Sequence, residues 1–165
     1  MTADAALAAT VAPVAPPAAE PAVPALRGVS HVALSVPDVA AAAEFWTTVL
    51  GFEAMGGGPG FCFLLLRTAR VAVVVADHGG TVRGAFDEHH PGLDHVALAV
   101  SDLETLRAWE RWLADRRVPY TPIIASDGAH HLNLRAPGDI PVELCVLDPG
   151  FLVALGVDGP AAGTH

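Results

Sequence analysis

One eight-residue phrase occurs twice in this chain, and the duplication restricts the fold more than any other feature. His31-Val-Ala-Leu-Ser-Val-Pro-Asp38 returns 64 residues later as His95-Val-Ala-Leu-Ala-Val-Ser-Asp102, with six of the eight positions identical. Each phrase alternates branched and small residues, the period of a strand with one face buried. Each then closes on an aspartate able to cap a following helix. A strand that opens on histidine at the same place in two modules can bring two imidazoles together across a pseudo-twofold axis, which makes a candidate metal site.

The two copies read in parallel. After the first strand, Val39 to Leu50 has a helical stripe of Ala42, Phe45, Trp46 and Val49, with Gly51 placed to end the helix. Strands are expected at Phe52–Met55, Phe61–Arg67 and Val71–Ala76, with Gly56–Gly60 as the turn between the first two. In the second copy, Leu103–Arg116 carries Leu103, Leu106, Trp109 and Leu113 on one stripe. Strands are expected there at Tyr120–Ala125, Ala129–Arg135 and Pro141–Val146. The fold class is therefore α+β: two tandem βαβββ modules, each with its helix packed on the branched face of its strands. The expected organisation is an Ala/Pro-rich tail over 1–26, modules over 27–77 and 93–147, a linker over 78–92, and a C-terminal tail over 148–165. Residues 27–147 are read as one domain.

Alternation also assigns faces. Val32, Leu34 and Val36 share one side of the first strand, and His31, Ala33 and Ser35 the other. The branched side belongs against the helix, where burial contributes about 1.5–3 kcal/mol per side chain. By the same logic Val142, Leu144 and Val146 point to the core, leaving Glu143 and Cys145 to the cavity; His131, Asn133 and Arg135 share one face of the preceding strand.

Charge narrows the partners. Net charge is −9, and all nine basic residues are arginine, so nothing resembles a basic nucleic-acid or membrane patch. Without lysine, Schiff-base chemistry and a P-loop are excluded. Cys62 and Cys145 stand far apart and outside any CxxC spacing, which points to reduced thiols and a cytoplasmic protein. The prolines at 13, 16, 17, 21 and 24 break any helix in the N-terminal tail, which has no basic residue before Arg27 and so no secretory pattern.

Three phrases, Glu44-Phe-Trp-Thr-Thr-Val-Leu-Gly-Phe52, Gly92-Leu-Asp-His-Val-Ala-Leu-Ala-Val100 and Arg135-Ala-Pro-Gly-Asp-Ile-Pro-Val-Glu-Leu144, together with the opening His31 strand, resemble the vicinal oxygen chelate superfamily. That superfamily includes glyoxalase I, extradiol dioxygenases, epimerases, and fosfomycin and bleomycin resistance proteins. The segment Phe86–His95 is similar to the inter-module linker of bacterial glyoxalase-like proteins. The resemblance implies that the modules form a cupped mixed sheet, helices on the outside, around one divalent ion (Fe, Mn, Ni, Co or Zn) on His31, His95 and Glu143. Two imidazoles and a carboxylate cap one face of an octahedron and leave positions for substrate oxygens. It also implies a small-molecule substrate and a homodimer, with modules paired within a chain or exchanged between chains.

The sequence departs from the family pattern in several places. Val71–Ala76 offers no fourth ligand, although His78 lies just beyond it. Asn133 stands where extradiol and fosfomycin enzymes carry tyrosine, Ala33 where the latter carry threonine, and Ala136 replaces the usual aspartate of the last turn.

Within this reading Glu143 is a ligand and, in lyase or isomerase chemistry, a base. His131 is the candidate outer acid or base because an imidazole titrates near neutrality. Asn133 and Arg135 are the candidate substrate contacts. The competing expectation is a metal-free protein that sequesters a drug or metabolite in the same cup; a third is a non-catalytic copy that keeps the fold for assembly.

Overall fold

The computed structural model describes residues 26 and 28–154. The expected tail over 1–26, apart from Leu26, and the end of the C-terminal tail from 155 onward lie outside the described residues. Module one runs β1 (Val32–Ser35), α1 (Val39–Thr48), β2 (Glu53–Gly58), β3 (Phe61–Leu66) and β4 (Val71–Ala76). Module two runs β5 (Val96–Ala99), α2 (Leu103–Asp115), β6 (Ile124–Ser126), β7 (Ala129–Ala136) and β8 (Ile140–Leu147), followed by α3 (Pro149–Ala154). The strands form two four-stranded sheets of equivalent order, β1-β4-β3-β2 and β5-β8-β7-β6. In each, the repeated strand lies parallel to the last strand of its module, and the other neighbours are antiparallel.

The duplicated aspartates start both helices. Asp38 accepts from the Ala41 N–H at 2.9 Å and Asp102 from the Thr105 N–H at 2.7 Å, satisfying amides that the first turn leaves free. Gly51 adopts φ 75°, which lets the Phe52 N–H reach back to the Trp46 carbonyl at 3.0 Å and closes α1. The expected stripes are the buried ones: Ala42 and Trp46 on α1, Leu106 and Leu113 on α2. Leu34, Val36, Val73 and Val75 from one sheet join Leu132, Val142, Leu144 and Val146 from the other in a single core. Trp46 lies at its centre with no exposure, its ring edge-on to Phe52 at 4.9 Å. Helix α1 also touches β7, and the Trp112 indole donates to the Val49 carbonyl at 3.0 Å, so the helices join the modules.

Three segments differ from the sequence reading. The glycines expected as a turn continue β2: Gly56, Gly57 and Gly58 pair with Phe63, Cys62 and Phe61, after a register shift between Ala54 and Gly56. Glycine cannot pack a side chain, but its amide still completes a ladder, and the reversal falls at Pro59-Gly60. The strand expected at Tyr120–Ala125 is shorter, because Pro122 has no N–H to donate. Tyr120 makes only an isolated bridge to Leu134, and the ladder begins at Ile124. Residues 149–154 of the expected C-terminal tail instead form α3, whose Phe151 ring lies on Gly128 so closely that a Cβ there would stand 2.8 Å from it.

Candidate functional site

The two histidines of the repeat occupy equivalent positions, each just before its strand, and each is held by the residue preceding it. The His31 Nδ1 is 3.0 Å from the Ser30 hydroxyl, and the His95 Nδ1 is 2.6 Å from the Asp94 carboxylate. A carboxylate on Nδ1 fixes that nitrogen as the protonated one and makes Nε2 the more basic, which is the state in which histidine ligates metals. The donor chemistry of His95 therefore fits a divalent ion approached through Nε2, and the Ser30 contact at His31 Nδ1 leaves the Nε2 of that ring free of the same neighbour.

Glu143 lies on β8 opposite Ala97 of β5 and Asn133 of β7, on the face away from the buried Val142 and Leu144. Its side chain is only 14% exposed. A cavity of about 450 Å³ opens beside this face, lined by Glu88, Asp94, His95, Tyr120, Asn133 and Arg135. Every residue lining it belongs to the linker or to module two.

The predicted ligands are not gathered within one chain. Among the described residues, the group of three whose ligand atoms lie within 4.8 Å of one another is His131, Glu143 and Cys145, not His31, His95 and Glu143. The His131 Nδ1 lies 3.1 Å from the Glu143 carboxylate, and its Nε2 lies 2.6 Å from the Ser126 hydroxyl. Although close, Nδ1 is not aligned with the carboxylate and makes no hydrogen bond. Burial first, and the neighbouring Glu143 second, push the Cys145 thiol above its ordinary pKa. His78 has its Nε2 2.9 Å from the Ser35 hydroxyl, beside the exposed small-residue side of β1.

Arg135, expected to meet substrate, already has a partner. Its guanidinium bonds both oxygens of Glu88, at 2.6 and 3.3 Å, and also the Asp139 carbonyl at 3.0 Å. The Arg135 hydrogen bond draws the Glu88 carboxyl down to about 2. This pair, with the Phe86 N–H donating to the Gly138 carbonyl at 2.8 Å, fastens the linker to module two.

Sequence reading had not singled out Glu88, Asp94, Ser126 or Tyr120. Asp94 and Ser30 precede the repeated histidines, so the repeat itself carried that signal; the positions of Glu88, Ser126 and Tyr120 depend on loop paths.

Module one leaves an open apolar surface. On the sheet face away from α1, Phe61 and Phe63 are 46% and 37% exposed, beside Ala76 and Val74 of β4, which pair in turn with Ser35 and Ala33 of β1. No helix among the described residues is long and apolar enough to cross a membrane.

Comparison with known proteins gives a consistent likeness. The family model described as Glyoxalase/Bleomycin resistance protein/Dioxygenase superfamily matches residues 28–144. A glyoxylase/bleomycin resistance protein/dioxygenase domain from Frankia sp. EAN1pec is 29% identical, covering 76% of this chain and 96% of that one, with a TM-score of 0.64. Lactoylglutathione lyase from Agrobacterium tumefaciens is 20% identical, covering 73% and 94%, with a TM-score of 0.61. A genomically encoded fosfomycin resistance protein from Listeria monocytogenes is 16% identical, covering 76% and 98%, with a TM-score of 0.61. The last two likenesses concern the fold alone. No curated protein matches the sequence.

Proposed function

From the premise that this chain belongs to the Glyoxalase/Bleomycin resistance protein/Dioxygenase superfamily, we propose that it is a cytoplasmic, divalent-metal-dependent enzyme acting on a small oxygenated metabolite. The reaction class is lyase, isomerase or ring-cleaving dioxygenase. The observation that carries the reading is the shared preparation of His31 and His95. Both have Nδ1 held by the preceding residue, which leaves Nε2 for a metal. Glu143, nearly buried on the cavity face, completes the ligand set. When bound, the ion would supply Lewis acidity to two vicinal substrate oxygens.

The remaining steps belong to this chain's own groups. His131, on the same sheet face as Glu143, exchanges a proton with the substrate. Asn133, beside Glu143 in the β7–β8 register, orients a polar substituent. Arg135 recognises an anionic substrate only by exchanging Glu88 for the substrate's own carboxylate or phosphate, since its planar fork is already filled.

The ligand set is completed by a second copy. Within one chain the three ligands are not gathered, and module one presents an uncovered apolar sheet face bearing Phe61 and Phe63. Pairing that face with the Glu143 face of a partner buries both surfaces and supplies His31 from one copy to His95 and Glu143 of the other.

Metal analysis of the purified protein tests this reading. About one equivalent of manganese(II) per chain, lost in His95→Ala, supports it. A metal-free protein that binds a large organic ligand tightly would instead establish the sequestering function.

A further inference from the structure

We propose that His131, Glu143 and Cys145 form a second, thiolate-containing metal site, selective for zinc and complete within a single chain. Their ligand atoms lie within 4.8 Å of one another, on three side chains projecting from two hydrogen-bonded strands. His131 and Cys145 are directly opposed in the β7–β8 register, and Glu143 precedes Cys145 by one full strand repeat on the same face. The site is thus carried on paired backbone and not on loops, so its spacing is set before any ion arrives.

The second ring nitrogen strengthens the assignment. The Ser126 hydroxyl, 2.6 Å from His131 Nε2, fixes the ring so that Nδ1 lies against Glu143. If Nε2–H is donated to Ser126, Nδ1 is a lone pair facing a carboxylate oxygen at 3.1 Å, two acceptors in contact. If Nδ1 carries the proton, that proton is misaligned and makes no hydrogen bond. A cation among the three groups removes both difficulties. Zinc is held by sulfur at about 2.3 Å, by nitrogen at about 2.0–2.1 Å and by carboxylate oxygen at about 2.0–2.2 Å, compatible with ligands this close together. Binding releases the Cys145 thiol proton to solvent and leaves a Zn–S bond; no redox change is involved. The thiolate gives this site the preference for soft ions that the His31, His95 and Glu143 set lacks.

The inference does not depend on the proposed enzymatic reading, but it bears on it. Glu143 cannot serve both sets fully, and an ion here also removes His131 from proton transfer. Zinc in this position would therefore act against the proposed reaction.

Cobalt(II), as a spectroscopic substitute for zinc, tests the site in the full-length protein without a thiol reductant. A near-ultraviolet sulfur-to-cobalt charge-transfer band is expected, bleached by added zinc. The band should persist in His31→Ala, His95→Ala and Cys62→Ser and disappear in Cys145→Ser. Ser126→Ala should weaken zinc binding by about 10–100-fold, as loss of an outer-shell partner does. Because Cys145→Ser alters a buried position, X-ray absorption of zinc bound to the His31→Ala chain provides a check that keeps Cys145 intact. One sulfur neighbour is expected there, and nitrogen and oxygen neighbours alone would overturn the site. No charge-transfer band in the wild type, or a band that survives Cys145→Ser and vanishes in Cys62→Ser, would also overturn it. Manganese(II) prefers nitrogen and oxygen ligands and reports the other set. Loss of its binding in His31→Ala, with the cobalt band intact or absent, separates the two readings.

Discussion

If the ligands come from two copies, two defective proteins should repair one another. In His31→Ala, module one has lost its ligand while His95 and Glu143 remain; in His95→Ala, the reverse holds. A site built across copies takes His31 from one chain and His95 with Glu143 from the other. Each variant alone forms dimers in which both sites lack a ligand. In the mixed dimer, one site lacks both histidines, and the other is intact. Equal mixing after subunit exchange makes half the dimers mixed, so about one quarter of all sites are restored. Manganese(II) should be the probe, because it avoids the thiolate of Cys145. The assay is manganese bound per chain, measured by the loss of the free-ion resonance, before and after the two variants are unfolded together and refolded. Wild type should bind about one ion per chain, each variant almost none, and the mixture about one quarter. A mixture that binds nothing, beside a wild type that binds fully, would refute pairing between copies and place the ligands within one chain.

Asp94→Asn keeps the shape of the carboxylate but loses its charge on His95 Nδ1, and should weaken manganese binding by about 10–100-fold in a direct titration. The Glu88 carboxyl, drawn down to about 2, should titrate there when followed by carbon NMR and return toward 4.5 in Arg135→Ala. Because its folded pKa is depressed, the Glu88–Arg135 tie contributes fully above about 4.5 and is lost as pH falls through about 2. Its exposure keeps that contribution small. Trp46→Ala empties a fully buried position shared by both modules and should cost about 3–5 kcal/mol in urea unfolding, with both sheets lost in one transition.

Much of the architecture was legible because it rests on local periodicity. The repeated strands, their aspartate caps, the Gly51 stop and the buried stripes of both helices follow from alternation, capping and helical spacing. So does the placing of Glu143, Asn133 and His131 on one sheet face, since a strand's parity fixes its sides. Parity carried no information about β2, where glycines without side chains still complete a ladder, or about β6, where a missing proline amide delays one. Tertiary structure alone decided which face-sharing residues meet. Register set His131 against Cys145, a loop path brought Glu88 to Arg135, and one core formed around α1 while the outer face of module one stayed open. Strand sidedness is a property of neighbouring residues, whereas register, loop path and the covering of a face depend on contacts between distant parts of the chain, or between chains.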